Sequence, residues 1–129
     1  MKNIIISLVF LSSLINIEVA DTPSKRAQGL MNRQKWGNIH GMLFIHDSER
    51  QVSYWMKNTH LELVMIYLDS DFTPLEIYTP SPLSTKPIIS SNNNIKYVLE
   101  LKPETFVWIT NNYEIFTEKI KTAVSDYNK

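Results

Sequence analysis

Apolar and polar residues alternate with a period of two along much of the chain, which is typical of strands that bury one face. The pattern is densest between residues 41 and 68, where apolar runs at 41–45 and 63–68 flank the alternating segment 52–59. Short strands separated by turns predict a domain built on sheets, with helices as additions. The strands predicted in this way cover residues 14–20, 41–45, 51–57, 61–68, 73–79, 95–101 and 113–120.

Two short helices and one long loop interrupt these predicted strands. Pro23 fits the first position of a helix, and Thr22 or Asp21 can accept a hydrogen bond from its first turn. A second helical turn is predicted to begin at Pro103. Residues 79–94 are rich in proline, serine and asparagine, which predicts a loop, and long loops in compact domains are often functional.

The chain has 129 residues, the length of one domain with a hydrophobic core of its own. We therefore predict a mainly β fold in one compact domain over residues 14–120, with short helices. Its architecture is expected to resemble a β-sandwich or jelly roll, or a barrel. Residues 121–129 are polar and are predicted to form a tail.

Residues 1–13 have the composition of a signal or membrane-anchor segment, because Lys2 precedes the apolar run 4–11. The same residues also fit an alternative, in which 4–20 form the first strand or two of the domain. The apolar stretch is shorter than the roughly 20 residues that a spanning helix needs. The composition predicts an exported protein that is periplasmic or tethered to the membrane.

Charge and residue usage exclude several classes of function. The 13 basic and 13 acidic side chains cancel, so the chain lacks the basic excess of a nucleic-acid-binding protein. The absence of cysteine excludes disulfides, thiolate metal sites and cysteine nucleophiles. His40, His46 and His60 lack the close spacing of metal ligands. We predict no metal, no cofactor and no nucleic-acid partner, and the sequence leaves the oligomeric state open.

Several ordered blocks of sequence between residues 17 and 120 are shared with a known family. The blocks are Val19-Ala20-Asp21-Thr22-Pro23, Arg26-Ala27-Gln28-Gly29-Leu30-Met31 with Arg33, Gly41-Met42-Leu43-Phe44, Trp55-Met56-Lys57-Asn58-Thr59 and Val98-Leu99-Glu100-Leu101. They resemble the domain of unknown function 192 (DUF192) family. The resemblance implies a jelly-roll-type β-sandwich with short helices, often behind an N-terminal signal or anchor, and it implies no reaction. Glu62 and Val64 stand where members usually carry proline and aspartate, and Pro103 stands near a usual glycine.

The Trp55 block contains three side chains that can form a binding patch. The ring of Trp55 can stack on a flat apolar surface, while Lys57 and Asn58 can orient a ligand through hydrogen bonds. The alternative is that Trp55 packs in the core, Asn58 holds a turn and Lys57 lies along the surface.

Glu100 lies in the middle of a predicted apolar strand, where an unpaired carboxylate is costly. Lys57 and Arg26 are the candidate partners. Such a pair can be a buried structural ion pair, or a proton-transfer pair in a cleft with Glu100 as the base.

Three functional hypotheses follow. The first is a non-catalytic module of the cell envelope that binds a small polar ligand or an envelope component through Trp55, Lys57, Asn58 and the loop 80–94. The second is an enzyme that acts on a small polar substrate through Glu100 and Lys57, with Arg26 holding an anionic group. The third is a purely structural domain.

Overall fold

A computed structural model describes residues 3–128, which form two sheets and three helices. The strands are β1 (Ile5–Val9), β2 (Leu14–Ala20), β3 (Gly41–Arg50), β4 (Ser53–Tyr54), β5 (Val64–Leu68), β6 (Pro74–Tyr78), β7 (Ile88–Ile89) and β8 (Ile95–Leu101). The helices are α1 (Pro23–Gln28), α2 (Pro103–Thr110) and α3 (Tyr113–Tyr127).

The main sheet has six strands in the order β1-β2-β3-β8-β5-β6, and β4 pairs with β7 in a separate two-stranded sheet. Strands β2 and β3 are parallel, and every other neighbouring pair is antiparallel. The prediction of a single mainly β domain with short helices is confirmed. Within residues 3–128 the large sheet is open, so the barrel-like alternative does not describe it.

The main sheet is covered on both faces. Successive side chains of a strand point to opposite sides, so each strand contributes to two cores. On one face, Leu43, Ile66 and Leu99 pack in a core that includes residues of α2 and α3. On the other face, Met42 and Met65 pack with residues from the connecting segments. This second face carries the candidate site.

The prediction of a last strand at 113–120 is wrong, because this segment belongs to α3. Phe116, Ile120 and Val124 recur every fourth residue, and all three are buried against the sheet. That spacing places them on one face of a helix. Helix α3 continues to Tyr127, into the segment predicted as a polar tail, and Lys129 lies outside the described residues.

The prediction of a strand at 51–57 is correct only for Ser53 and Tyr54. Its partner strand β7 also has only two residues. After β4 the chain turns at Asn58, whose φ is +55°. Val52 and Met56 are nevertheless buried. The alternation therefore indicated which side chains face the core, although most of the segment is not a strand.

The predicted cap of the first helix is confirmed. Thr22 caps α1, where its Oγ1 accepts a hydrogen bond from the N–H of Lys25 at 3.2 Å. Pro74 begins β6 at the edge of the sheet, where a proline does not interrupt a central ladder.

The N-terminal segment is part of the sheet from Ile5 onward. Strand β1 pairs antiparallel with β2, and Leu8 is buried in the core. Met1 and Lys2, the basic start of the predicted signal or anchor, lie outside the described residues. No helix in the described part of the chain is both long and apolar enough to cross a membrane. Export stays a prediction.

Candidate functional site

An open cleft of about 350 Å³ lies on the second face of the sheet. Its walls come from α1 with the residues that follow it, from β3, and from the segment around β4. Glu100 of β8 also lines the cleft and is only 4% exposed, so it lies at the bottom of the opening.

The sheet register fixes the position of Glu100. Met42 on β3 and Met65 on β5 lie directly beside it on the two neighbouring strands. The Glu100 side chain makes no hydrogen bond or ion pair with any described residue. Burial raises the pKa of Glu100 to about 8, because removal from water disfavours the charged form. At neutral pH this side chain is mostly a protonated acid, able both to donate and to accept a hydrogen bond.

A second acid on the same sheet, unlike Glu100, accepts hydrogen bonds from neighbouring side chains. Glu18 on β2 lies beside Met42 on the side away from Glu100. Arg33 donates two parallel hydrogen bonds to it, at 2.8 and 2.7 Å, and Asn3 donates a third. Mainly because of the bonds from Arg33, the pKa of Glu18 lies below its usual range. Of these two acids, only Glu18 is therefore held as a paired carboxylate.

His46, which is buried, and Tyr54, which is partly exposed, form a polar pair in the wall of the cleft. The Nε2 of His46 lies 2.8 Å from the hydroxyl of Tyr54, and the Nδ1 of His46 is buried without a partner among the described residues. Burial, with the positive charges of Arg26 and Arg50, lowers the pKa of His46 to about 4. The imidazole is therefore neutral at physiological pH.

Two arginines supply positive charge to the cleft. Arg26 donates a hydrogen bond from Nη1 to the carbonyl oxygen of Ile45 at 2.8 Å, which fixes its direction. Arg50, at the end of β3, is exposed. Within residues 3–128 neither arginine forms a salt bridge with a carboxylate.

A glycine brings the end of α1 close to the sheet. Gly29 has a φ of +47°, a conformation that other residues rarely adopt, and a Cβ there would lie 3.3 Å from the ring of Phe44. Both residues line the cleft. The Arg26 block therefore reaches the site because its helix ends against β3.

The structure brings together only some of the predicted site residues. Arg26, Trp55 and Glu100 line the same cleft, whereas Lys57 and Asn58 do not. The Nζ of Lys57 lies 5.2 Å from the centre of the Trp55 ring, and Asn58 forms the turn described above. The predicted pair of Glu100 with Lys57 is not present.

Trp55 is 45% exposed and is not a core residue. The loop 80–94, also assigned to the site, contributes instead to a separate cleft of about 460 Å³ with Met56 and Tyr78. It is therefore not part of the Glu100 cleft.

Sequence reasoning missed Arg50 and Tyr54, and considered His46 only as a metal ligand. The available signal was periodicity: His46 continues the alternation of Met42 and Phe44 along β3. The described part of the chain contains no cluster of histidine and acidic residues that could hold a metal ion.

The fold and the cleft define a class of protein: an open mixed β-sheet domain with one buried acid in a cleft beside two arginines. The chain belongs to the DUF192 family, whose description is "Uncharacterized ACR". It matches the family over residues 7–111. The resemblance seen in the sequence is thereby confirmed. No curated protein matches the chain.

Two solved structures are similar to this one. A protein from Sinorhizobium meliloti 1021, provisionally named a transcription regulator, is 37% identical over 79% of this chain and 83% of its own, with a TM-score of 0.68. A protein of unknown function from Novosphingobium aromaticivorans DSM 12444 is 25% identical over 78% of this chain and 73% of its own, with a TM-score of 0.63.

Proposed function

We propose that this protein is a binding module that takes a small polar ligand in the Glu100 cleft. One observation carries the proposal: a buried acid without a partner in the described chain lies at the bottom of an opening to solvent. Buried polar groups are normally hydrogen-bonded within the protein. A ligand that enters the cleft can satisfy Glu100 without any change of the fold.

The chemistry of the walls supports the same proposal. The two arginines provide cationic hydrogen-bond donors, and the partly exposed ring of Trp55 provides a flat apolar surface. Small-molecule sites commonly combine an apolar surface with a few convergent polar groups. The enzyme hypothesis has less support, because Lys57 lies on the Trp55 ring and does not line the cleft with Glu100.

A fragment screen by NMR tests this function. We expect at least one class of polar fragment to bind saturably and to shift signals of residues that line the Glu100 cleft. Ala27→Trp should abolish this binding, because Ala27 is exposed on α1 and lines the opening. Ser24→Trp, on the same helix but outside the cleft, should leave it intact. Fragments that bind only beside the loop 80–94, or none at all, would overturn the proposal.

A location in the cell envelope is part of the proposal and is supported by the composition of residues 1–11. Because Leu8 is buried, we propose that strand β1 is retained in the exported protein. Cell fractionation followed by intact-mass measurement tests this. A cytoplasmic protein, or an exported one that starts after Ser13, would contradict it.

The name of the Sinorhizobium protein raises the question of DNA binding. The net formal charge of this chain is +0, whereas DNA-binding domains carry a basic excess. We propose no nucleic-acid partner. A salt-dependent mobility shift with random duplex DNA would contradict this.

A further inference from the structure

The Glu100 cleft contains charged or ionisable groups of both kinds that the described chain does not pair with each other. Glu100 is buried at the bottom, Arg26 is partly exposed and Arg50 is exposed. The acid is therefore the innermost of the three groups. Arg26 donates one of the five N–H groups of its guanidinium to the carbonyl oxygen of Ile45, so other N–H groups can bind a ligand.

All three groups interact with one side chain. The hydroxyl of Tyr54 interacts electrostatically with Glu100, Arg26 and Arg50, so all three lie in its neighbourhood. The other ionisable groups that face this region are Tyr67 of β5, which also interacts with Glu100, and His46 of β3. His46 is neutral, so the arginines are the cationic groups of the cleft.

Ligands with one charge fit this arrangement poorly. A purely anionic ligand meets the arginines but forms no ion pair with Glu100, which stays protonated. A purely cationic ligand meets Glu100 but also faces two guanidinium groups. A ligand with an inner cation and an outer anion satisfies both ends of the cleft.

We propose that the ligand is a small zwitterion of the α-amino acid class, with its ammonium group on Glu100 and its carboxylate on Arg26 and Arg50. This rests on the proposed function, because it names the ligand of the same cleft. The ring of Trp55 favours a side chain with a flat apolar face, so L-phenylalanine is a suitable probe.

Binding in this way has a defined proton balance. Near pH 7 the free protein holds a proton on Glu100, and the ammonium group of the ligand replaces it as the partner of the carboxylate. The Glu100 carboxylic acid and the ligand ammonium become a carboxylate–ammonium pair, and one proton leaves to solvent. A ligand without a cationic group leaves that proton in place.

The test compares three probes by calorimetry at pH 7: L-phenylalanine, N-acetyl-L-phenylalanine, which lacks the ammonium group, and L-phenylalaninamide, which lacks the carboxylate. L-phenylalanine should bind at least about tenfold more tightly than either analogue, a difference of about 1.4 kcal/mol. Titration in unbuffered potassium chloride on a pH-stat should show close to one proton released per phenylalanine bound.

Two variants assign the two ends of the ligand. Glu100→Gln should remove proton release and the preference over N-acetyl-L-phenylalanine, while Arg50→Gln should reduce the preference over L-phenylalaninamide. Lys35→Gln, an exposed change outside the cleft, should change neither preference.

Equal or tighter binding of either analogue would overturn the zwitterion proposal and leave the binding function standing. Failure of all three probes would also overturn it if a fragment still binds in the cleft. Failure of the probes and of the fragment screen together would overturn both proposals.

Discussion

Glu18 and Glu100 flank Met42 on neighbouring strands of the same sheet, but their surroundings give them opposite protonation. Glu18 receives two hydrogen bonds from Arg33 and remains a carboxylate. Glu100 has no such donor, and burial raises its pKa to about 8. The two acids are therefore matched controls for each other.

Replacement of each acid by its amide should change stability in opposite directions. Because the pKa of Glu100 is raised above its unfolded value, the folded state binds more protons between about pH 4.5 and 8, and stability falls as pH rises through this window. Glu100→Gln should remove this fall and stabilise the protein by a few kcal/mol at pH 9. Denaturant unfolding across pH 4–9 measures it.

The control variant, Glu18→Gln, should destabilise the protein at pH 7 by on the order of 1 kcal/mol, since Arg33 loses a charged acceptor. Its pKa is lowered in the folded state, so the contribution is present above the unfolded pKa and is lost as pH falls through the folded one. Destabilisation by Glu100→Gln at pH 9 would show that Glu100 has a structural partner.

The hydroxyl of Tyr54 should matter for stability through His46. Tyr54→Phe removes the only hydrogen bond that the ring nitrogens of His46 make with described residues, so we expect a loss of about 1–3 kcal/mol. Tyr97→Phe is the matched control, because Tyr97 is also a largely buried tyrosine and its hydroxyl makes no hydrogen bond with described residues. Equal losses in thermal unfolding of the two variants would contradict this role.

At the scale of elements, helix α3 shows how a helix face was mistaken for a strand. Phe116→Ala or Ile120→Ala should destabilise the protein by about 2–5 kcal/mol, because each side chain is buried against the sheet. Ile115→Ala, which changes an exposed side chain of the same helix, should cost far less. Urea unfolding separates the two cases. Similar losses of stability at 115 and 120 would contradict the packing of Ile120, rather than Ile115, against the sheet.

The strands that the sequence predicted well are those in which alternate side chains enter the same core over several residues. Strand β8 is the clearest example, because Tyr97, Leu99 and Leu101 pack in one core while Val98 between them packs in the other. The strand prediction failed around Tyr54, where only two residues form a strand. An alternating pattern indicates which side chains face a core, and a turn segment packed on a sheet can show the same pattern. Strand β7 has two residues, too few for any period.

At the scale of the whole molecule, the sequence predicted a mainly β domain and placed three of the cleft residues among the candidates: Arg26, Trp55 and Glu100. Their convergence depends on strand order, since β8 lies between β3 and β5 and this places Glu100 below the wall formed by β3 and α1. No local pattern encodes that order. Lys57 was grouped with Glu100 because of its charge and its place in one of the shared sequence blocks, but it precedes the turn at Asn58 and does not line the cleft.

The two faces of the main sheet differ in what they carry. The face with α2 and α3 holds an apolar core, while the opposite face carries the cleft with its unpaired acid. Buried groups with shifted pKa values in a cleft are characteristic of functional sites, although structural groups can also have them. The protonation of Glu100 is therefore the property on which the binding proposals depend.

The most direct measurement is an NMR titration of the Glu100 side-chain carboxyl carbon, assigned by comparison with Glu100→Gln. An unpaired buried acid should titrate with a midpoint near pH 8, and the carboxyl of Glu18 should titrate below its usual range in the same spectra. A Glu100 midpoint at or below the ordinary value of 4.5 would show a partnered or hydrated carboxylate, and would contradict the unpaired acid at the centre of the cleft.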